Sequence, residues 1–515
     1  VNPQQTQTVI AAERALDAAM AHHKAGRYAD AERMYRQVLA VRPDHPDALH
    51  LLGVLATKVG RPDAAIDLIR RAVERVPKQP GYLMSLAAAY SASGRTGDAI
   101  DCCRRAIALA PETAEFHYTL GNELRVAGDF AGAAAAYRRS VGLQPNSASA
   151  WNNLSGVLLA TDDPAGAADA AARAIAVDPR HARAHSNLGS ARQAFNDWAA
   201  AVTHYGRSVE LDPADAQSRW NWSLALLATG EFERGWAEYE SRWRVPNFPS
   251  PRRPFSQPVW TGEPLDGRTL LVHAEQGFGD TIQFARYLPL VADRGGAVVF
   301  EVHPELYRLL RKTPGATVVA RGEPLPRFDV HAPLMSLPRI VGTTVATIPA
   351  APAVPDVDPA AVAAWRSRLG TDGLNVGIVW GGQPTHVNDR NRSMPAAAFR
   401  SLAVDGVRLI SLQKNWTGKI DFPVEDWTGE LTDFADTAAL ISALDHVVAV
   451  DTGVAHLAAS LGKPTSILLP FSADYRWMTD REDSPWYPTV RLFRQARAGD
   501  WKSVVSRLRR QNLGR

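Results

Sequence analysis

At 515 residues, with 46% apolar and 22% charged residues, the chain is too long for one hydrophobic core and ordinary in composition for two or three folded domains. Lys and Arg total 57 against 54 for Asp and Glu, without basic blocks, which argues against a nucleic-acid partner. Cys102 and Cys103 are the only cysteines, so neither a disulfide framework nor a metal cluster is supported and a reducing cytoplasm fits; no run approaches the roughly 18 apolar residues of a membrane helix.

Residues 1 to 15 lack the charged and apolar regions of a signal peptide, although the chain opens at Val1 rather than Met. The first half is then organised by a period of 34 residues. Pro43, Pro77, Pro111, Pro145, Pro179 and Pro213 mark the stops. Ala31, Ala65, Ala99, Ala133, Ala167 and Ala201 put a small side chain where two helices press together. Gly26, Gly60, Gly94, Gly128 and Gly230, with Asp162 and Asn196 in the two gaps, supply left-handed turns between paired helices. With Leu52-Gly53, Leu120-Gly121, Leu188-Gly189 and large residues such as Tyr35 and Tyr137, these ladders resemble the tetratricopeptide repeat, about seven units over residues 12–245.

Such a solenoid has a concave groove suited to a peptide, so a protein partner is its default ligand. Asn153, Asn187 and Asn221 recur at the same spacing, and their amides can clamp a peptide backbone. That ladder resembles the groove of repeat-bearing O-linked glycosyltransferases. Asn merely suiting the inner face is the plain alternative.

After Gly230 the motif decays into Phe232, Trp236, Tyr239 and Trp243, and residues 246–267, rich in Pro, Arg and Ser, read as a linker or cap. From Arg268 short β-branched runs alternate with helices, the signature of parallel sheets with crossovers. Strands are predicted near 269–273, 297–302, 316–320 and 329–331, with a helix from about Thr281. They form one α/β half over residues 268–350. A second half, 351–515, carries strands near 376–380, 407–412, 446–450 and 465–468. Two Rossmann-like halves facing each other across a cleft describe the GT-B fold, with acceptor on the first and nucleotide-sugar donor on the second.

Two segments stand between a strand and a helix. In Gln276-Gly277-Phe278-Gly279-Asp280, Gly277 and Gly279 let the backbone approach a ligand and Asp280 faces the carboxyl end of the sheet. An N-capping Asp is spelled the same way, so spacing leaves capping and catalysis both open. In Asp451-Thr452-Gly453-Val454-Ala455-His456, amides at a helix start can hold phosphate, and His456 lies one turn in. Between them, residues 381–393 form a polar loop in which His386, Asn388, Arg390, Arg392 and Ser393 suit an anionic donor, against the alternative of a solvated surface loop. Gln413 and Lys414 end the next strand and reach the same region. Trp477, Arg481, Asp483, Trp486 and Tyr487 either crown the cleft or, as packing favours, fasten the last helix. His273, His303 and His331 read as structural.

The paired segments resemble the bacterial lipopolysaccharide heptosyltransferases, whose first domain carries a Gly-Asp base and whose second carries an Asp-Thr-Gly-x-x-His donor motif. The resemblance implies an inverting, metal-independent enzyme in which Asp280 deprotonates the acceptor and Asp451, Thr452, Gly453 and His456 bind the donor. A Lys of that family is absent here, and Arg392 is its substitute. Asp356-Val357-Asp358 has the spelling of a metal-binding motif of other glycosyltransferases, but before a helix N-capping explains it, and no metal or cofactor is expected beyond the nucleotide sugar. Repeats fused to this module resemble bacterial repeat-containing glycosyltransferases that modify flagellin. That implies a cytoplasmic protein O-glycosyltransferase passing a nonulosonic acid, such as pseudaminic acid, from a CMP donor to Ser or Thr of flagellin. UDP-N-acetylglucosamine is the second choice of donor. The rival functions are a degenerate sugar-nucleotide adaptor or scaffold, and a heptosyltransferase-like enzyme acting on a lipid-linked glycan.

Overall fold

A computed structural model describes residues 3–350, 357–385, 388–416 and 418–513. The chain divides into two compact units, Val1–Ala191 and Arg192–Arg515. The first consists of paired helices beginning with Pro3–Lys24, Tyr28–Val41 and Pro46–Lys58. Ala31, Ala65, Ala99, Ala133 and Ala167 are fully buried between helices. A Cβ on Gly53 would stand 2.4 Å from Ile69, and one on Gly121 would stand 2.6 Å from Tyr137. The small residues of the period are therefore demanded by packing. Cys102 and Cys103 are buried and free, and burial pushes the Cys103 thiol up to about 12.

Each proline of the 34-residue ladder follows the second helix of a pair by two residues, as Pro43 follows Val41 and Pro213 follows Leu211. Asp162 (φ 63°) and Asn196 (φ 59°) adopt the left-handed turn taken by Gly26 (φ 74°) and its successors. Short polar side chains tolerate that region best after glycine.

The second unit opens with the helices Trp198–Leu211, Ala216–Ala228 and Phe232–Tyr239, then carries two sheets. The first sheet is formed by β1 (Thr269–His273), β2 (Ala297–Val302), β3 (Thr317–Ala320) and β4 (Val330–Pro333), in the order β3-β2-β1-β4 and wholly parallel. The second contains β5 (Leu374–Val379), β6 (Val407–Ser411), β7 (Glu425–Asp426), β8 (His446–Val450), β9 (Thr465–Leu469), β10 (Asp483–Ser484) and β11 (Tyr487–Arg494). Its order is β10-β11-β9-β8-β5-β6-β7, parallel except for β10 against β11.

Both sheets place their first strand in the interior with later strands on either side, β1 between β2 and β4, and β5 between β6 and β8. The loops leaving such a strand diverge from their neighbours and open a crevice at its carboxyl end. Among the described residues ten of the eleven strands in the two sheets run parallel to a neighbour, and the interior ones, β1, β2, β5, β8 and β9, are buried almost throughout.

Two differences from the sequence expectations, and one agreement, the cap at Asp358, concern the site. The helix after β1 spans Phe278–Phe284, so it starts three residues before Thr281 and takes in Asp280. Tyr487, expected to crown a cleft or fasten a helix, opens β11, which pairs with β9 inside the sheet. Asp358 caps its helix through Ala360 N at 2.9 Å; Asp356 lies outside the described residues.

Candidate active site

Asp280 occupies the third position of its helix, not the cap. Its Oδ2 accepts the Gly277 N–H at 2.8 Å, and its Oδ1 pairs with the Arg476 guanidinium. Arg476 comes from the loop after β9 and is nine-tenths buried. It also holds Asp474 at 2.7 Å and the Gln283 side-chain oxygen at 3.1 Å. The carboxylate thus has one donor on each oxygen and retains a lone pair on each.

The β8 loop meets this helix directly. Thr452 caps the Gly453–Ser460 helix, its Oγ1 accepting Ala455 N–H at 3.4 Å. A Cβ on Gly279 would lie 2.8 Å from His456 Cδ2 and 3.4 Å from Gly453 Cα. Glycine at 279 is what lets the two loops touch. His456 stacks on Trp477 with ring centroids 5.3 Å apart, shares a 3.0 Å hydrogen bond with Tyr487 Oη, and places Nε2 3.7 Å from Asp451. Burial, with Arg476, Arg286 and Arg392 nearby, holds the His456 pKa well below the usual imidazole value, so its imidazole is neutral. Burial and the neighbouring Asp474 carboxylate push Asp451 up to about 6, opposed by Arg476, the Trp477 indole and Arg392.

The β5 loop supplies the next wall. Asn388 precedes the short Asp389–Arg392 helix and accepts from Asn391 at 2.7 Å. Ser393 Oγ donates to Asp389 at 2.9 Å and accepts the Gly382 N–H at the same distance, which folds the loop back on the end of β5. Arg392 pairs with Asp389 at 3.3 Å and is near enough to bias Asp451 and His456. Arg390 is exposed on the same turn. Gln413 Oε1 accepts the N–H groups of Trp380 and Gly381, at 3.2 and 2.9 Å, so it braces this loop. Lys414 donates to the Leu431 carbonyl. His386 lies outside the described residues.

The structure therefore gathers Asp280, Gly277, Gly279, Asp451, Thr452, Gly453, His456 and Arg392 at the carboxyl ends of β1, β5 and β8. It adds Asp474, Tyr475 and Arg476, which sequence reasoning missed. They follow β9, which is parallel to β8, so their loop opens on the same edge, a pairing that no local spacing encodes. Among the described residues no group of three or more His, Cys, Asp or Glu is arranged to hold a metal ion. No helix is long and apolar enough to cross a membrane among the described residues.

On the repeats, Asn153 gives its amide to Tyr118 Oη at 3.2 Å and Asn122 Oδ1 at 3.1 Å, and accepts from Asn152 at 3.1 Å. Asn187 donates to the backbone and side-chain oxygens of Asn152, both at 3.1 Å. Asn221 accepts from Gln217 at 2.9 Å. Asn153 and Asn187 thus tie neighbouring helices together, whereas the bond of Asn221 stays within its own helix.

Comparison with known proteins follows the same division. The tetratricopeptide-repeat model matches residues 16–80, 84–148, 118–181 and 186–250. The model of glycosyltransferase family 9 (heptosyltransferase) matches residues 429–470, a stretch that contains Asp451, Thr452, Gly453 and His456. Protein FlbA of Caulobacter vibrioides (strain ATCC 19089 / CIP 103742 / CB 15) is 29% identical over 315 residues, 55% of this chain and 52% of the relative. The chain spans about half the length of that curated relative. Among solved structures, MamA is 23% identical with a TM-score of 0.31, covering 32% of this chain and 97% of its own. YrrB, described as a TPR protein with an unusual peptide-binding site, is 17% identical with a TM-score of 0.33, covering 36% and 95%. The repeat and family 9 matches with the FlbA similarity support a tetratricopeptide-repeat, glycosyltransferase-like protein.

Proposed function

We infer that the chain is a protein O-glycosyltransferase of GT-B organisation, inverting and metal-independent, with Asp280 as general base. The acceptor hydroxyl oxygen attacks the anomeric carbon, its proton passes to Asp280, and the bond from that carbon to the donor phosphate oxygen breaks. Arg392, the amides at the start of the Gly453–Ser460 helix and neutral His456 meet the charge that develops on the departing nucleotide. Gly277, Asn388, Arg390, Ser393, Gln413, Lys414 and, by sequence, His386 complete the donor side. The repeats hold the acceptor, with flagellin as the first candidate, and the donor of choice is a CMP-linked nonulosonic acid such as pseudaminic acid.

One observation carries this function. Two motif-bearing loops from different sheets, each leaving the carboxyl end of an interior strand, meet where Gly279 abuts Gly453 and His456. The family 9 match falls on one of those loops.

The adaptor alternative draws on a different observation, that Arg476 and Gly277 each already engage one oxygen of Asp280. Incubation of the purified chain with flagellin and a panel of CMP, UDP, GDP and ADP sugars, read by intact mass, decides between them. A mass increase of one sugar residue with one donor is expected. No added mass with any donor, alongside normal flagellin binding, selects the adaptor.

A further inference from the structure

We propose that the end of the repeat array is a positioning element for this reaction, with Arg242 its principal residue: it sets the backbone of the loop that delivers Asp280. This rests on the role given to Asp280 above.

Arg242, fully buried, gives Nε and Nη2 to the two oxygens of Glu275 at 2.9 and 2.8 Å. Its remaining donors reach Ser336 Oγ at 2.8 Å, Glu240 at 2.9 Å and the Tyr239 carbonyl at 3.3 Å. All five guanidinium N–H groups are thereby satisfied. Glu275, also buried, accepts the Met335 N–H at 3.0 Å. The next residue, Gln276, has φ 60°, a left-handed conformation that glycine would adopt without strain. Two hydrogen bonds keep it there: Ser250 Oγ accepts its N–H at 2.6 Å, and its side-chain amide donates to Tyr239 Oη at 2.8 Å. Gly277 follows, and its N–H holds the Asp280 carboxylate.

The same segment supports the opposite partner. Tyr475, adjacent to Arg476, packs edge-on against Trp236 at 6.0 Å and lies 6.2 Å from Tyr239. Residues 236–250 therefore touch both the base loop and the loop carrying the cation paired with it. Packing alone does not require this arrangement. A buried ion pair contributes no more stability than apolar residues of the same volume, whereas a fork satisfied at every donor fixes direction. A loop held in a disfavoured conformation by Tyr239 and Arg242 at the end of the repeats and Ser250 of the segment after them couples that end of the array to the group that deprotonates the acceptor.

The test uses the full chain with Tyr239→Phe, Ser250→Ala, their combination, and Arg242→Met with Glu275→Leu, which replaces the ion pair by apolar volume. Hydrogen–deuterium exchange across 274–280 reads the loop, and kcat and donor KM read the reaction. The Tyr239→Phe/Ser250→Ala chain should exchange faster in the loop and lose about ten- to a hundred-fold in kcat, with donor KM little changed. Arg242→Met/Glu275→Leu should behave likewise while melting as a folded protein. Unchanged exchange in the Tyr239→Phe/Ser250→Ala chain overturns the clamp; faster exchange with full kcat overturns the positioning role. If the wild-type chain transfers no sugar, the glycosyltransferase function itself fails, and exchange still decides whether the last repeat holds the loop.

Discussion

The inner face of the repeats and the loop cluster of the α/β region are both rich in polar side chains, yet they dispose of them in opposite ways. Asn153 and Asn187 bond to side chains and carbonyls of neighbouring helices within the repeats. In the cluster, loops from two sheets crowd Asp280, Asp451 and Asp474 against Arg392 and Arg476, and a buried His456 is kept neutral. A repeat satisfies its polar groups locally because every unit meets the same neighbour. Topology alone concentrates charge as the cluster does. Substitutions on the repeats should act singly and modestly, and those in the cluster should be large and coupled.

The largest effect that sharpens this contrast lies at Asp280. Asp280→Asn keeps the shape and the Gly277 contact but removes the base, so kcat for transfer should fall about 10²- to 10⁴-fold. Donor affinity by calorimetry should be preserved. A variant that turns over normally would strip Asp280 of its role and make the cluster as ordinary as the repeats. Next comes the repeat core, where Ala99 is fully buried. Ala99→Leu should cost about 1–3 kcal/mol in urea unfolding, with catalysis at saturating acceptor unaffected.

A smaller effect tests the contact between the loops. Because a Cβ at 279 would press on the His456 ring at 2.8 Å, Gly279→Ala must displace one loop. A fall of about ten-fold in kcat/KM is expected, since misplacement of reacting groups by a fraction of an ångström is costly. The same change at Gly156, where the nearest atom is 3.8 Å away, should be silent in that assay.

Legibility in sequence follows the same contrast. The 34-residue period exposed the small residues, the turns and the stops of the repeats because each constraint recurs at every unit. Strands β1, β2 and β8 were readable to the residue, since parallel strands buried on both faces are short apolar runs. β11 escaped because Pro488 sits near its start among Trp, Arg and Asp, and proline argues against an interior strand. At the site, Asp280 and His456 were legible because each lies in a strand–loop–helix motif. Arg476 was not: its partner stands 196 positions away, and no local spacing encodes a contact made by the order of strands in a sheet. The capping reading of Asp280 holds in part: with the helix starting at Phe278 it stands third in the helix rather than at the cap, and its carboxylate still accepts the N-cap Gly277 N–H. The α/β halves assigned to acceptor and donor remain expectations of the proposed function.

The smallest effect is one of sign. Asp451 is raised to about 6 by burial and Asp474. Below the unfolded value, near 3.8, both states are protonated and the folded chain carries no penalty; between there and about 6 the folded state holds a proton that the unfolded state releases. Stability from this group is therefore full in acid and lost as pH rises through 6. Asp451→Asn removes the loss, so its Tm relative to wild type should climb by about one or two degrees between pH 4 and 6.5. Glu32 on the repeats is pulled the other way, chiefly by its hydrogen bond to Arg61. Its contribution is present above the unfolded value and fades as pH falls, so Glu32→Gln should lose ground to wild type as pH rises over the same range. Opposite slopes for the two variants, followed by differential scanning fluorimetry, are expected of a carboxyl crowded by topology and one paired on a repeat surface. Parallel slopes would mean that Asp451 is solvated like any surface acid, and that the loops after β8 and β9 do not close on each other in solution.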